Sequence, residues 1–183
     1  MESFETVLSA ARAGGEWAWD RLYADLAPGV TGYLRAHGAA EPDDLAGEVF
    51  LQVVRNLPGF AGGEGAFRGW VYTIAHRRLV DDLRRRGRRP VAPTDAAALE
   101  GLAGAGGDVE EDAGSRLEDA SVRAALDELP TDQRAVLLLR ILADLTVEEV
   151  ARTLGKRPGA VKALQRRALR RVHRAYPFGD VER

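Results

Sequence analysis

The sequence predicts an all-α protein made of two small helical domains joined by a flexible acidic linker. Apolar residues recur at helical spacing in both halves, helix-start signals precede them, and no segment shows the sustained alternation of a half-buried strand. The middle of the chain is instead rich in alanine and glycine and poor in large apolar residues. Such a stretch cannot bury enough surface to offset its ordering entropy. The expected division is a first domain over 1–90, a linker over 91–114, a second domain over 115–176 and a tail over 177–183.

The first expected helix runs from about Glu16 to Arg35, with Trp19, Tyr23, Leu26, Val30 and Tyr33 at helical spacing and Pro28 as a kink or restart. A second opens at Pro42, where proline is tolerated and Asp43 and Asp44 complement the macrodipole, and ends near Leu57 before Pro58-Gly59. A glycine-rich loop over Gly59 to Gly65 leads into a long helix carrying Phe67, Trp70, Val71, Ile74 and Ala75 on its apolar side. In the second half, Ser115-Arg-Leu-Glu118 and Thr146-Val-Glu-Glu149 have the capping-box pattern. Between them a helix is expected from about Asp132 to Leu142, Gly155 closes the next, and Pro158 opens the last.

Charge is divided unevenly, although the formal total is only -2. From His76 to Arg89 seven arginines oppose two aspartates. From Lys156 to Arg174 two lysines and six arginines meet no acid, whereas Asp95 to Asp119 holds eight acids against Arg116 alone. Local fields, not the total, decide what a surface attracts. The segment from Thr146 to Val172 has the length and punctuation of a helix-turn-helix. In its second helix Val161, Leu164, Ala168 and Val172 form an inward stripe, leaving Lys162, Arg166, Arg167, Arg170, Arg171 and Arg174 outside. Such a helix fits a major groove, with cations left for phosphates.

Other functions are excluded by what is missing. The 183 residues include no cysteine, and His37, His76 and His173 are far apart in sequence, so no metal site and no cofactor are expected. The glycine loop is not followed by Gly-Lys-Ser/Thr, and the serines at 3, 9, 115 and 121 have no histidine motif beside them. A non-enzymatic protein is expected. The start Met1 to Glu5 lacks the features of a signal peptide, and no apolar run approaches the ~20 residues needed to span a bilayer. A cytoplasmic protein without membrane insertion follows as the expectation.

Taken in order, Asp44-Leu-Ala-Gly-Glu-Val-Phe-Leu-Gln-Val-Val-Arg-Asn-Leu57 and Phe67-Arg-Gly-Trp-Val-Tyr-Thr-Ile-Ala75, with Asp81 and Arg84 to Arg86, resemble the second region of an extracytoplasmic-function (ECF) sigma factor of the sigma-70 family. Leu129-Pro-x-x-Gln-Arg-x-Val-Leu-Leu-Leu-Arg140 and Leu154-Gly-x-x-x-Gly-Ala-Val-Lys162 resemble its fourth region. The resemblance implies a promoter-specificity subunit that docks on the bacterial RNA polymerase core, on its beta and beta-prime subunits, and directs initiation at promoter DNA. It implies polymerase docking through Asp44, Leu45, Glu48, Gln52 and Asn56. For the minus-ten element it implies Phe60, Gly62, Gly63, Glu64, Phe67, Arg77, Arg78, Asp81, Arg84 and Arg85. For the minus-thirty-five element it implies Arg157, Pro158, Gly159, Lys162, Ala163, Arg166, Arg167 and Arg170. An anti-sigma factor as inhibitor and a monomer when free are further implications.

The chain departs from the family pattern at Arg77, where asparagine is frequent, at Arg157, where a serine cap is usual, and at Ala163-Leu164-Gln165 in place of Ser-Arg-Leu. Gln165 falls on the inward stripe, which implies a slight rotation of that helix. The competing reading of the residues is a stand-alone helix-turn-helix regulator, which predicts specific DNA binding without polymerase. A helical adaptor with no DNA role predicts no salt-dependent DNA binding.

Overall fold

The computed structural model describes residues 2–88 and 124–175, and every regular element among them is helical. Helix α1 spans Phe4–Arg12, α2 Glu16–Ala36, α3 Pro42–Asn56 and α4 Glu64–Arg88, with a 3-10 turn at Leu57–Gly59. Residues 124–127 belong to α5. Helices α6 (Thr131–Ile141), α7 (Val147–Leu154) and α8 (Pro158–Ala175) complete the second half. The segments 91–114 and 177–183, and the Ser115 capping pattern, lie outside the described residues.

Helix α1 was not expected from the sequence. Ser3 caps it by accepting a hydrogen bond from the Thr6 amide at 3.2 Å, and Val7, Leu8 and Ala11 bury its inner side. Helix α2 runs unbroken through Pro28. Pro28 and Ala24, four residues earlier, are both exposed, so the carbonyl deprived of its amide partner lies on the side of the helix next to water. The buried stripe of α2 is Ala18, Leu22, Leu26, Ala27, Val30, Tyr33 and Leu34. Tyr23, expected in that stripe, lies outside it and rests its ring on Phe50 of α3 at a centroid distance of 4.7 Å. The helical period prefers Leu22 there.

Helices α3 and α4 pack on α2 through Leu45, Val49, Val53, Phe67, Val71, Tyr72, Ile74, Ala75 and Leu79. In the second half, α6 buries Ala135 to Leu139 without a gap, because it is covered on one side by α8 and on another by the first half. Val136, Leu138, Leu139, Ala143, Leu145, Val150, Ala151 and Val161 join the same buried group as α1 to α4. The two helical domains are therefore packed against each other.

The α7 start follows its sequence signal closely. The Glu149 amide donates to Thr146 Oγ1 at 3.2 Å, and the Glu149 carboxylate accepts from the Thr146 amide at 2.7 Å. Gly155 ends α7 in the left-handed region at φ 62°, a conformation glycine adopts without a Cβ penalty. Thr146→Ala removes one partner of that box and is expected to lower stability by about 1 kcal/mol, read as a shift in the urea midpoint at unchanged slope.

Candidate nucleic-acid and polymerase interfaces

Three faces carry the candidate residues. On α3, Asp44, Glu48 and Asn56 are exposed and Gln52 is half-buried, in a row along one side. Leu45, expected on this face, is only 6% exposed and belongs to the core beneath it. Arg78 reaches the row from α4, donating to Gln52 Oε1 at 3.0 Å and pairing with Glu48 at 3.2 Å. Arg78 was expected among the nucleic-acid residues; its guanidinium is committed instead to α3. Beside the row, Leu51 and Val54 are 58% and 46% exposed. They lie off the buried Leu45, Val49, Val53 stripe, and that offset was readable as an apolar margin to the polar row.

The second face is built by the loop before α4 and by α4 itself. Gly62 has φ 151°, and the Cβ of any other residue there would stand 2.9 Å from Ala66 Cβ and 3.1 Å from the Phe60 ring. A glycine is required for the loop to fold over Ala66. Phe60 stacks on half-buried Trp70 at 5.0 Å and 27°. Phe67, expected to meet DNA, is 2% exposed and packs edge-on against Phe60 at 5.4 Å, so it supports the loop from inside. Gly63, Glu64, Arg77, Asp81, Arg84 and Arg85 are exposed. Glu64 pairs with Arg68 at 3.4 Å and Asp81 with Arg84 at 3.8 Å, in surface geometry that contributes little to stability.

The third face is α8. Pro158 starts it, Val161 and Ala168 are buried, and Leu164, Gln165 and Val172 are half-buried. Gln165 thus sits at the margin of the inward stripe. Arg157, Pro158, Gly159, Lys162, Arg166, Arg167 and Arg170 are exposed and Ala163 is half-buried. Among the described residues none of these cations is in an ion pair, whereas Lys156, just before the helix, is held at 2.7 Å by Asp132. A cationic row without acids on a helix that follows a tight turn is the chemistry of a phosphate-binding recognition helix.

Nothing else in the described residues competes with these faces. No group of three or more metal-ligating side chains is present among them, and no helix is long and apolar enough to cross a membrane. The buried polar groups serve the fold: the Tyr33 hydroxyl meets His76 Nδ1 at 2.8 Å, and burial pushes the Tyr72 hydroxyl up to about 12.

This arrangement defines an all-helical protein in which a helix-turn-helix with a cationic second helix packs against a long arginine-edged helix. Residues 22–89 match the Sigma-70 region 2 family and residues 119–172 match Sigma-70 region 4. The chain is similar to the ECF RNA polymerase sigma factor SigD of Mycobacterium tuberculosis, with 32% identity over 180 residues covering 93% of this chain and 82% of the relative. It is also similar to the sigma-H factor of Pseudomonas aeruginosa, 31% identical over 96% of this chain and 94% of that one. The same fold occurs in CnrH bound to the cytosolic domain of CnrY (TM-score 0.66, 22% identity, covering 94% and 96% of the two chains). It occurs again in RpoE of Bartonella quintana bound to the anti-sigma factor NepR (TM-score 0.66, 19% identity, covering 90% and 98%). The chain belongs to the ECF sigma factors of the sigma-70 family.

Proposed function

We propose that this chain is a promoter-specificity subunit that binds the RNA polymerase core through the α3 row, reads and opens the minus-ten element with the α4 face and binds the minus-thirty-five element with α8. The division into a region 2 domain over 1–90 and a region 4 domain over 115–176 belongs to this reading. The exposed cationic row of α8, with no carboxylate partner among the described residues, is the observation that carries it. Strand opening fits the second face, because the Phe60 and Trp70 rings form a surface on which an unstacked base can rest beside the exposed Arg77 guanidinium. The role is one of binding and positioning, with the chemistry of polymerisation left to the core enzyme. Two neighbours of the same fold are bound to partner chains, one to the cytosolic domain of CnrY and one to the anti-sigma factor NepR, and an anti-sigma factor is the partner we assign to this chain also.

The test is run-off transcription on fragmented genomic DNA with sigma-free core polymerase, with and without the chain. Discrete new start sites are expected only when it is present. A folded preparation that gives specific DNA binding without core, and no new transcripts with it, means a stand-alone regulator instead.

A further inference from the structure

The loop that carries Phe60 has few attachments of its own. It runs through Gly62 and Gly63, which makes it costly to order, and among the described residues neither Ala61 nor Gly62 makes a backbone-to-backbone hydrogen bond. Phe60 is the fixed point. Its amide donates to the Leu57 carbonyl at 3.1 Å, and its carbonyl accepts from the guanidinium of Arg12, 48 residues earlier in the chain. Arg12 stands in the last turn of α1, and that turn is itself held, because the Trp19 indole of α2 donates to the Ala11 carbonyl at 3.1 Å. The other end of α1 reaches the same loop from behind. Phe4 lies against Phe67 at a centroid distance of 5.6 Å, and Phe67 in turn backs Phe60 at 5.4 Å.

We infer that α1 is a positioning helix for the strand-opening loop, with Arg12 as the positioning residue that sets where the Phe60 ring lies on Trp70; the inference rests on the function proposed above. The packing of α1 on the core is carried by Val7, Leu8 and Ala11. Arg12 adds nothing to it: the side chain is exposed, and the Phe60 carbonyl is its one hydrogen-bond partner among the described residues. A guanidinium makes a charge-assisted bond, stronger than a neutral donor would make in the same place. Because it holds the carbonyl and not the ring, the half-buried Phe60 ring keeps a face for a base. Unstacking a base is costly, and a loop that had to order at the same moment would add to that cost. Holding the loop beforehand removes that addition.

Arg12→Ala removes the bond at an exposed position and leaves a good helix former there, so α1 is expected to stay folded. On the promoters found in the run-off assay, open-complex formation on duplex DNA should fall about tenfold, the size of one lost hydrogen bond to a charged group. On the same promoters with the minus-ten segment unpaired by mismatches, most of that loss should disappear, because strand opening is then no longer required of the loop. A variant that is merely less stable loses activity on both templates alike; that result, or no loss on duplex DNA, overturns the inference. The sigma assignment is judged separately, on the wild type. The free chain gives a reading that needs no promoter. It has three tryptophans, Trp17, Trp19 and Trp70, and with fluorotryptophan incorporated the Trp70 resonance, identified by its loss in Trp70→Phe, reports the Phe60 ring stacked on it. Arg12→Ala should move that resonance toward its position in Phe60→Ala, and a Trp70 signal unchanged by Arg12→Ala overturns the inference.

Discussion

Replacing Lys162, Arg166 and Arg167 together by alanine is expected to remove promoter-directed initiation while leaving the fold intact. All three side chains are exposed, and among the described residues none is in an ion pair, so no core packing is disturbed. Alanine is also the better helix former. Each phosphate contact contributes about 0.9 to the slope of log affinity against log salt, so three lost contacts flatten that slope by about 2.7. Between 1 M and 0.1 M salt the same three contacts account for roughly 500-fold in affinity. A filter or anisotropy titration over a salt series measures both quantities. Arg35→Ala, on the opposite domain and paired only with Asp43, should change neither. A triple variant with the wild-type slope means that α8 does not touch the DNA backbone, and the helix-turn-helix reading then fails even if core binding survives.

Much of this was legible because the chain states its helices locally. The Thr146 to Glu149 box, Gly155 and Pro158 are each a stereochemical instruction that needs no distant partner, and the α7 and α8 bounds follow from them. The α8 inward stripe was readable for a similar reason, since one period fixes which side is buried. The α4 and α3 faces were harder. Leu45 and Phe67 fall within the right motifs, but whether an apolar residue faces a partner or the core depends on the neighbouring helices, and here α2 and the Phe60 loop cover them. Arg78 is a cation among cations in sequence, and only the crossing of α3 over α4 reveals that Glu48 and Gln52 take it. The packing of the two domains on each other left no local signal at all, because it depends on Gly69 and Gly29 admitting groups from sequence-distant helices.

Acidification supplies the second large effect, and it reports on the same domain junction. His37 ends α2, is 8% exposed, and donates through Nδ1 to the Tyr33 carbonyl at 2.9 Å, while its Nε2 is buried without a protein partner. Burial holds its pKa down to about 4, against the favourable Tyr33 carbonyl, with Arg134 of α6 and His76 of α4 adding cationic repulsion. His76 is lowered as well, chiefly by burial. A histidine with a depressed folded pKa contributes its full stability above the unfolded value of 6.5 and loses it as pH falls toward 4, because the unfolded chain binds the proton first. Between pH 7.5 and pH 5 His37 alone should cost about 2 kcal/mol, and about 3 kcal/mol by pH 4. His37→Asn keeps an amide donor for the Tyr33 carbonyl and removes the titration, so urea unfolding of the two proteins across this range separates His37 from the carboxylates that also titrate. The wild type should lose about 2 kcal/mol more than His37→Asn by pH 5. Parallel curves would mean that the Nε2 site accepts a proton at little cost, and His37 would then be no barrier between α2 and Arg134.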